Sequence, residues 1–410
     1  MTVTADGQDR AARVALYLTC GSAAAAFVSI AASQILLALS VVALLASGAR
    51  LRFPPVKLPL AVFFGLTSVS LLLAAEPLAG RPQIRKFFVF LVLLTVCSTV
   101  RGLNAIVGLV RAWFVVAAVS AGWALVQFWE KIGQARRAGI SFYEYYVSER
   151  ITGFMSHWMT FSGQMMIALL LAAAFLFFSP RARRYWWVWA ACCALMGLAL
   201  VLAFTRSMWL ATAAAGLYLV WNWKRWVVAA APVVVAVGLL VAPAPVRTRA
   251  VSLLHPNKNI DSNQHRIVCW RTGWEMIKAH PWFGVGPEHV GREFRRYVPA
   301  DIARPLPEGW YGHLHNIYIH YAAERGVPAL LALLWMLGKM LLDFLRRLGR
   351  LPPQAGEARF MLHGAVAVIA AVLVSGLFEL NLGDSEVLFL FLAVMALAYN
   401  ASEGEFFPAG

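Results

Sequence analysis

HRIVCWRTGWEMIKAHPWFGVGPEHVGREF, residues 265–294, and HLHNIYIHYAAERG, residues 313–326, frame the main polar island in a chain that is otherwise nearly all apolar. Within the first stretch Ile267, Trp270, Trp274 and Ile277 recur at helical spacing and fall on one side. Arg266 and Arg271 flank that stripe, while Glu275 and Lys278 give the helix a wet edge. Such a helix is expected to lie in a membrane interface, aromatic side down, with its guanidinium groups at headgroup level. Pro281, Gly284, Gly286 and Pro287 end it, and a second short helix carrying Glu288, Arg292, Arg295 and Arg296 can follow. His313, His315 and Asn316 then arrive just before the chain turns apolar again. Arginines with a histidine at a membrane surface suit a lipid-linked phosphate substrate.

The surroundings of the island set the fold class. Apolar residues make up 60% of the 410 and charged residues only 14%, which rules out a soluble globular protein. Apolar runs recur along nearly the whole length, the pattern of an all-α polytopic membrane protein. About twelve spans are expected, at 13–30, 31–48, 57–75, 85–100, 104–129, 157–178, 186–203, 207–222, 226–243, 327–345, 360–380 and 386–400. Residues 1–243 then hold the first nine, 244–326 form a long segment with interfacial helices, and 327–410 hold the last three and a tail. The polar start, Met1 to Arg13, lacks the compact pattern of a cleaved leader, so the first apolar run is read as a retained span.

Lysine and arginine in short connections orient the chain. Arg10, Arg13, Arg50, Arg52, Lys57, Arg101, Arg181, Arg183, Arg184, Lys224, Arg225, Arg346, Arg347, Arg350 and Arg359 all fall on one side, which the rule makes cytoplasmic. Both termini are then inside, and 244–326 lies outside. Some cations oppose the rule: Arg81, Arg85 and Lys86 before the fourth span, Arg206 at the outer start of the eighth, and Lys131, Arg136, Arg137 and Arg150 after the fifth. Their placement favours a binding role. With the net charge of +16 confined to loops, anionic lipid or phosphate is the expected partner, not nucleic acid. The five cysteines suggest neither a disulfide framework nor a metal site. The sixteen tryptophans lie mostly at span ends, as an aromatic belt does.

Arg266…Trp270…Pro281-x-x-Gly284-x-Gly286…Phe294, then His315-Asn316-x-Tyr318…Glu324-x-Gly326, resembles the signature of the O-antigen ligase/polymerase superfamily of bacterial membrane glycosyltransferases. Thr205-Arg206-Ser207, and Arg150-Ile-Thr-Gly153-Phe-Met-Ser-His157, are similar to pieces of the same family. The motif resemblance covers roughly residues 150 to 330; the remainder matches by hydrophobic layout. It implies a GT-C-type fold in the inner membrane with a site facing the periplasm. It also implies a metal-independent reaction that moves a glycan from undecaprenyl pyrophosphate to the lipid A–core oligosaccharide, without a cofactor.

Within that resemblance the residues divide by chemistry. Arg206 opens an apolar helix that Thr205 or Ser207 could cap, where amides, dipole and guanidinium all favour an anion. Arg206 and Arg266 are the expected pyrophosphate ligands, with Arg85 and Lys86 added on charge placement; an arginine snorkelling to the interface is the plain alternative. His315 is the candidate base, taking the proton of an acceptor hydroxyl as the glycosidic bond forms. His313, Asn316 and Arg271 are expected to support it, and Glu324 to shape the chain's re-entry through an ion pair. Charge on the departing diphosphate needs a metal or fixed cations, and the abundance of arginine favours the latter. Direct attack would invert the anomeric centre. An O-antigen polymerase or a protein-glycosylating ligase would share these features. A lipid-linked sugar flippase fits less well, because no paired halves are visible and few charges fall in mid-span.

Overall fold

Apolar residues repeated on every face leave these segments no stable choice in lipid but helix, since each backbone amide must be satisfied within its own segment. The computed structural model describes residues 5–253, 263–352 and 354–403. Residues 254–262 of the expected 244–326 segment and 404–410 of the expected tail therefore lie outside the described residues. Helices follow in the order α1 (Ala5–Ala25), α2 (Ile30–Ala46), α3 (Lys57–Leu73), α4 (Arg81–Arg85), α5 (Leu91–Thr99), α6 (Leu103–Ala138), α7 (Phe142–Ser148), α8 (Trp158–Phe178) and α9 (Trp186–Leu202). They continue with α10 (Arg206–Lys224), α11 (Ala231–Val241), α12 (Ala244–Val251), α13 (Asn263–Ala279), α14 (Val290–Tyr297), α15 (Ile317–Arg325), α16 (Val327–Arg350), α17 (Gly356–Ser375) and α18 (Ser385–Ser402). No strand occurs among the described residues. The chain is an all-helical polytopic membrane protein.

Among the described residues eight helical stretches are long and apolar enough to cross a membrane, and α2 and α3 are shorter apolar helices. Four of the expected spans are reshaped. The fourth begins at Pro77, not 85, and is a broken helix, so Arg85 and Lys86 sit inside it, in α4 and the 3-10 turn after it. The eighth and ninth form one apolar stretch, Arg206–Val241, interrupted at Lys224, where the backbone is extended (φ −149°, ψ 94°). Arg206 Nη1 donates to the Ser252 carbonyl at 2.7 Å, so the chain leaving along α10 returns to its starting end by Ser252. The eleventh span stops at Ser375, five residues earlier than expected, and this leaves Glu379 in a loop.

Contacts between distant segments sort the bundle into two ends. At one, Arg52 meets Glu403 at 3.8 Å, Arg101 donates to the Arg50 carbonyl, Arg181 reaches Asn104 and Glu357, and Arg347 bonds Ser402. At the other, Ser70 donates to the Phe283 carbonyl, Arg292 pairs with Glu76, and Lys86 donates to the Gly383 carbonyl. The connecting cations that agree with the insertion rule thus share one end. Arg206, Arg266 and His315 share the other.

The centre of the bundle is α17 and α18, both almost wholly buried, with α8 against them. Small residues let the backbones close: a Cβ on Gly364 would stand 2.6 Å from Leu171, and one on Gly163 would stand 2.9 Å from Val387. Phe175 packs edge-on to Phe360 at 5.2 Å between ring centres.

Candidate active site

The loop between α17 and α18 organises this end of the molecule. Two hydrogen bonds pin it to the start of α15: Ile317 N–H donates to the Gly376 carbonyl at 2.7 Å, and Asn316 Nδ2 donates to the Leu377 carbonyl at 2.9 Å. The same Asn316 caps α15, its Oδ1 accepting from the Tyr318 and Ile319 amides at 2.9 Å each. Asn316 therefore fixes His315, on one side of the stitch, relative to Glu379, two residues beyond Leu377 on the other.

Glu379 is fully buried and its carboxylate is shared. One oxygen accepts from Arg266 Nη2, and the other lies 3.3 Å from His315 Nδ1. Burial alone would raise the pKa of this acid, but the charge of Arg266 and the hydrogen bond from His315 outweigh it and hold the group below its ordinary range. An ionised carboxylate only accepts, so Nδ1 of His315 carries the proton and donates it to Glu379. In the neutral ring the acceptor is then Nε2.

Helix α13 grips this pair twice. Arg266 and Trp270 are one turn apart on the same face; Trp270 Nε1 donates to the His315 carbonyl at 3.2 Å while Arg266 holds Glu379. The expected interfacial placement of Arg266, beside an apolar stripe, is corrected: its guanidinium points inward. The face of α13 that packs is Val268, Cys269, Thr272, Gly273 and Met276, while Ile267 and Trp274 stay exposed. Gly273 permits the approach, since a Cβ there would lie 2.5 Å from Ile319.

His315 sits at φ +47°, a left-handed conformation that costs a residue with a Cβ about 1 kcal/mol or more. Phe204 (φ +53°) and Glu288 (φ +64°) share the feature, and each borders a motif named above. His313 Nδ1 accepts from the His315 amide at 3.3 Å, and the two rings lie 4.1 Å apart. Burial, with His315 adjacent, drives His313 down to about 2, and the same causes drive His265 down to about 4. Both stay neutral near pH 7 and surround His315 with uncharged rings.

Arg206 reaches the same region by another route. Its Nη2 donates to Asn263 Oδ1 at 2.7 Å, one turn before Arg266 on α13, and its Nη1 contacts Ser252 O and Oγ at 2.7 and 2.9 Å. The expected cap on α10 is not formed: the Thr205 hydroxyl lies 2.9 Å from Ser162 Oγ on α8, and Ser207 Oγ has no hydrogen-bond partner. A tertiary bond between helices has displaced the local one. Beside Arg206, Arg249 Nε donates to the Phe204 carbonyl at 3.0 Å. Arg150 lies over the Trp158 ring at 5.1 Å, and burial, then the charges of Arg249, Arg266 and Arg206, lower it to about 9. Arg249, Arg266 and Arg206 thus all bear on Arg150, and of the four guanidinium groups Arg266 and Arg150 act on the Glu379 carboxylate.

The remaining expected residues are distributed more widely. Lys86 reaches the Glu379 loop four residues downstream, donating to the Gly383 carbonyl at 2.8 Å. Arg85 is exposed and makes no hydrogen bond or ion pair among the described residues. Arg271 points away and binds exposed Asp301, both oxygens at 2.8 Å. Among the described residues no group of three or more His, Cys, Asp or Glu is placed to hold a metal ion.

The glycine pieces of the motif are a joint of their own. Gly286 and Val285 N–H donate to the Glu324 and Ala323 carbonyls at 2.9 Å, and Val327 N–H donates to Pro281 O at 2.8 Å. A Cβ on Gly284 would meet the Glu324 backbone at 2.3 Å, and one on Gly326 the Trp282 carbonyl at 2.0 Å. Glu324 pairs with Arg325 at 2.9 Å, as the ion pair expected of it, and accepts from the Glu288 amide. Arg325 passes on to Gln83 at 2.8 Å, and Gln83 to Glu288.

Sequence reasoning missed Glu379, Arg249 and Arg325. Only Glu379 had a local signal, a lone acid at the end of an apolar run. Residues 191–334, from α9 into α16, match the family model described as O-antigen ligase. No curated protein matches the chain.

Proposed function

We propose, from the match of residues 191–334 to the family model described as O-antigen ligase, that this chain belongs to that superfamily and transfers an O-antigen glycan from undecaprenyl pyrophosphate to the lipid A–core oligosaccharide. The observation that carries this reading is the Glu379 carboxylate held between Arg266 and His315. Such an acid fixes the imidazole's tautomer and orientation, as the third member of a hydrolytic triad does. His315 Nε2 accepts the proton of the acceptor hydroxyl, whose oxygen attacks the anomeric carbon from the face opposite the diphosphate. The carbon–oxygen bond to phosphate breaks with inversion, and the electron pair leaves on undecaprenyl pyrophosphate.

The arginines answer that departing charge. Arg266 has a buried Nε with no partner in addition to its bond to Glu379. Arg206, Arg150 and Arg249 add to a field of fixed cations that needs no reorganisation as the bond breaks. Lys86 approaches from the Gly383 side of the loop, and His313 and Asn316 hold the frame. With cations in place of a Lewis acid, the reaction is metal-independent. The site faces the periplasm of the inner membrane, and both termini are cytoplasmic.

The test is transfer from purified lipid-linked donor to purified lipid A–core in detergent, with and without chelator, by wild type and by Arg206→Ala, Arg266→Ala and His315→Ala. Each variant should fold and lose transfer, with chelator without effect. Full transfer by folded His315→Ala protein would remove the base. In cells, loss of a ligase leaves long lipid-linked polymer, whereas loss of a polymerase leaves single repeat units.

A further inference from the structure

At the end of the bundle away from Glu379, α1, α2 and the end of α5 enclose an open cavity of about 590 Å³. Arg13, Arg50 and Arg101 line it together with Leu16 and Leu44, and Asp9 is the acid among its lining residues. Arg101 is held in place, Nε donating to the Ser98 carbonyl at 3.0 Å and Nη2 to the Arg50 carbonyl at 3.3 Å. The guanidinium groups of Arg13 and Arg50 have no carboxylate or hydrogen-bond acceptor among the described residues. The nearby Arg52 is directed instead to Glu403. Burial, then the neighbouring Arg52 and Arg50 charges, lower the pKa of Arg101.

The cavity has an apolar wall as well as a cationic one. Leu16 and Leu44 form it, and exposed Val14, Tyr17, Val42 and Leu45 continue it along the outer faces of α1 and α2. One wall suits a phosphodiester and the other a hydrocarbon chain. We propose that this cavity binds the headgroup of an anionic phospholipid, its phosphate among Arg13, Arg50 and Arg101 and its acyl chains along α1 and α2. A cation cluster on an amphipathic surface concentrates such lipids, and guanidinium forks match the phosphate oxygens. The site is far from the transfer chemistry and is independent of it.

The experiment uses full-length protein in phosphatidylcholine micelles titrated with phosphatidylglycerol, read as the apparent Tm. Phosphatidylglycerol should raise Tm saturably, while further phosphatidylcholine or millimolar inorganic phosphate should not. An equal rise with inorganic phosphate would overturn the lipid assignment. Arg13→Gln/Arg50→Gln/Arg101→Gln should weaken the midpoint of the titration by about tenfold or more. Leu16→Trp, which fills the cavity and leaves every charge in place, should do the same and serves where the triple variant does not assemble. Arg346→Gln/Arg350→Gln removes charge from the same end outside the cavity and should leave the midpoint unchanged. A wild-type midpoint in the triple or Leu16→Trp protein, or an equal loss in the Arg346/Arg350 control, overturns the proposal.

Discussion

Nδ1 of His315 lies 3.3 Å from one carboxylate oxygen of Glu379, and the other oxygen of that carboxylate holds Arg266. The dyad makes Glu379 the positioning residue for the base. Glu379→Gln keeps the volume but removes the charge and can present its amide N–H to Nδ1, forcing the other tautomer. Transfer should fall about 10²- to 10⁴-fold, with KM for the donor changed far less than kcat. A folded Glu379→Gln enzyme with wild-type kcat would reduce the pair to a structural bond.

Acid should unfold this end of the protein earlier than its carboxylates alone require. His265 and His313 are held below the ordinary value of 6.5, at about 4 and about 2, by burial and the neighbouring His315. Below that ordinary value the unfolded chain binds protons that the folded chain refuses, so stability falls as pH falls. The window for His265 runs from about pH 6.5 to about 4, and His313 continues through and beyond it. Glu379, with its lowered pKa, acts in the same direction, its contribution present above the unfolded carboxylate value and lost below it. Apparent Tm measured from pH 7 to pH 4 should therefore drop, and His313→Gln should flatten the slope by about one proton. An unchanged slope in that variant would exclude His313 as a buried neutral group.

Gly284 and Gly326 bind the two glycine motifs to each other, at φ +68° and +88°, with no room for a Cβ. Gly284→Ala or Gly326→Ala should cost about 1–3 kcal/mol and reduce the yield of folded protein. Gly338→Ala, in the interior of α16 with nothing within 4 Å of a new Cβ, should be neutral or stabilising by about 0.5–1 kcal/mol. Detergent-extracted yield and Tm of the three variants decide it. Equal behaviour of Gly326 and Gly338 would remove the joint.

The all-helical membrane class was legible because lipid enforces it, a run of apolar residues having one way to satisfy its backbone, but among the described residues eight stretches, not twelve, are long and apolar enough to cross. Arg266, Trp270, His315 and Asn316 were legible as a motif, and the structure gives the spacing a reason, since Arg266 and Trp270 reach opposite ends of the dyad. Glu379 was hidden inside a predicted span because its meaning depends on a stitch between Asn316 and Leu377, which are 61 residues apart. Arg249 was hidden likewise, its partner being the Phe204 carbonyl 45 residues earlier. The cap expected from Thr205 or Ser207 does not form, the Thr205 hydroxyl meeting Ser162 on another helix instead. Local signals are outvoted where distant segments compete for the same polar atom.

That stitch can be opened without disturbing its neighbours. Asn316 uses its oxygen to cap α15 and its amide nitrogen to hold Leu377, so the two functions separate by substitution. Asn316→Asp keeps an acceptor for the Tyr318 and Ile319 amides but cannot donate to the Leu377 carbonyl. Asn316→Ala loses both. The aspartate variant should keep its stability within about 1 kcal/mol of wild type, since a helix N-terminus tolerates either residue. Its kcat should nevertheless fall about tenfold or more, because Glu379 is then free to drift from His315 and small misplacements of catalytic groups are costly. The alanine variant should lose about 1 kcal/mol further in stability as the cap goes. If Asn316→Asp turned over as fast as wild type while Asn316→Ala merely melted earlier, Asn316 would be a helix cap and nothing more, and the placement of Glu379 would have to come from Ile317 and Gly376 alone.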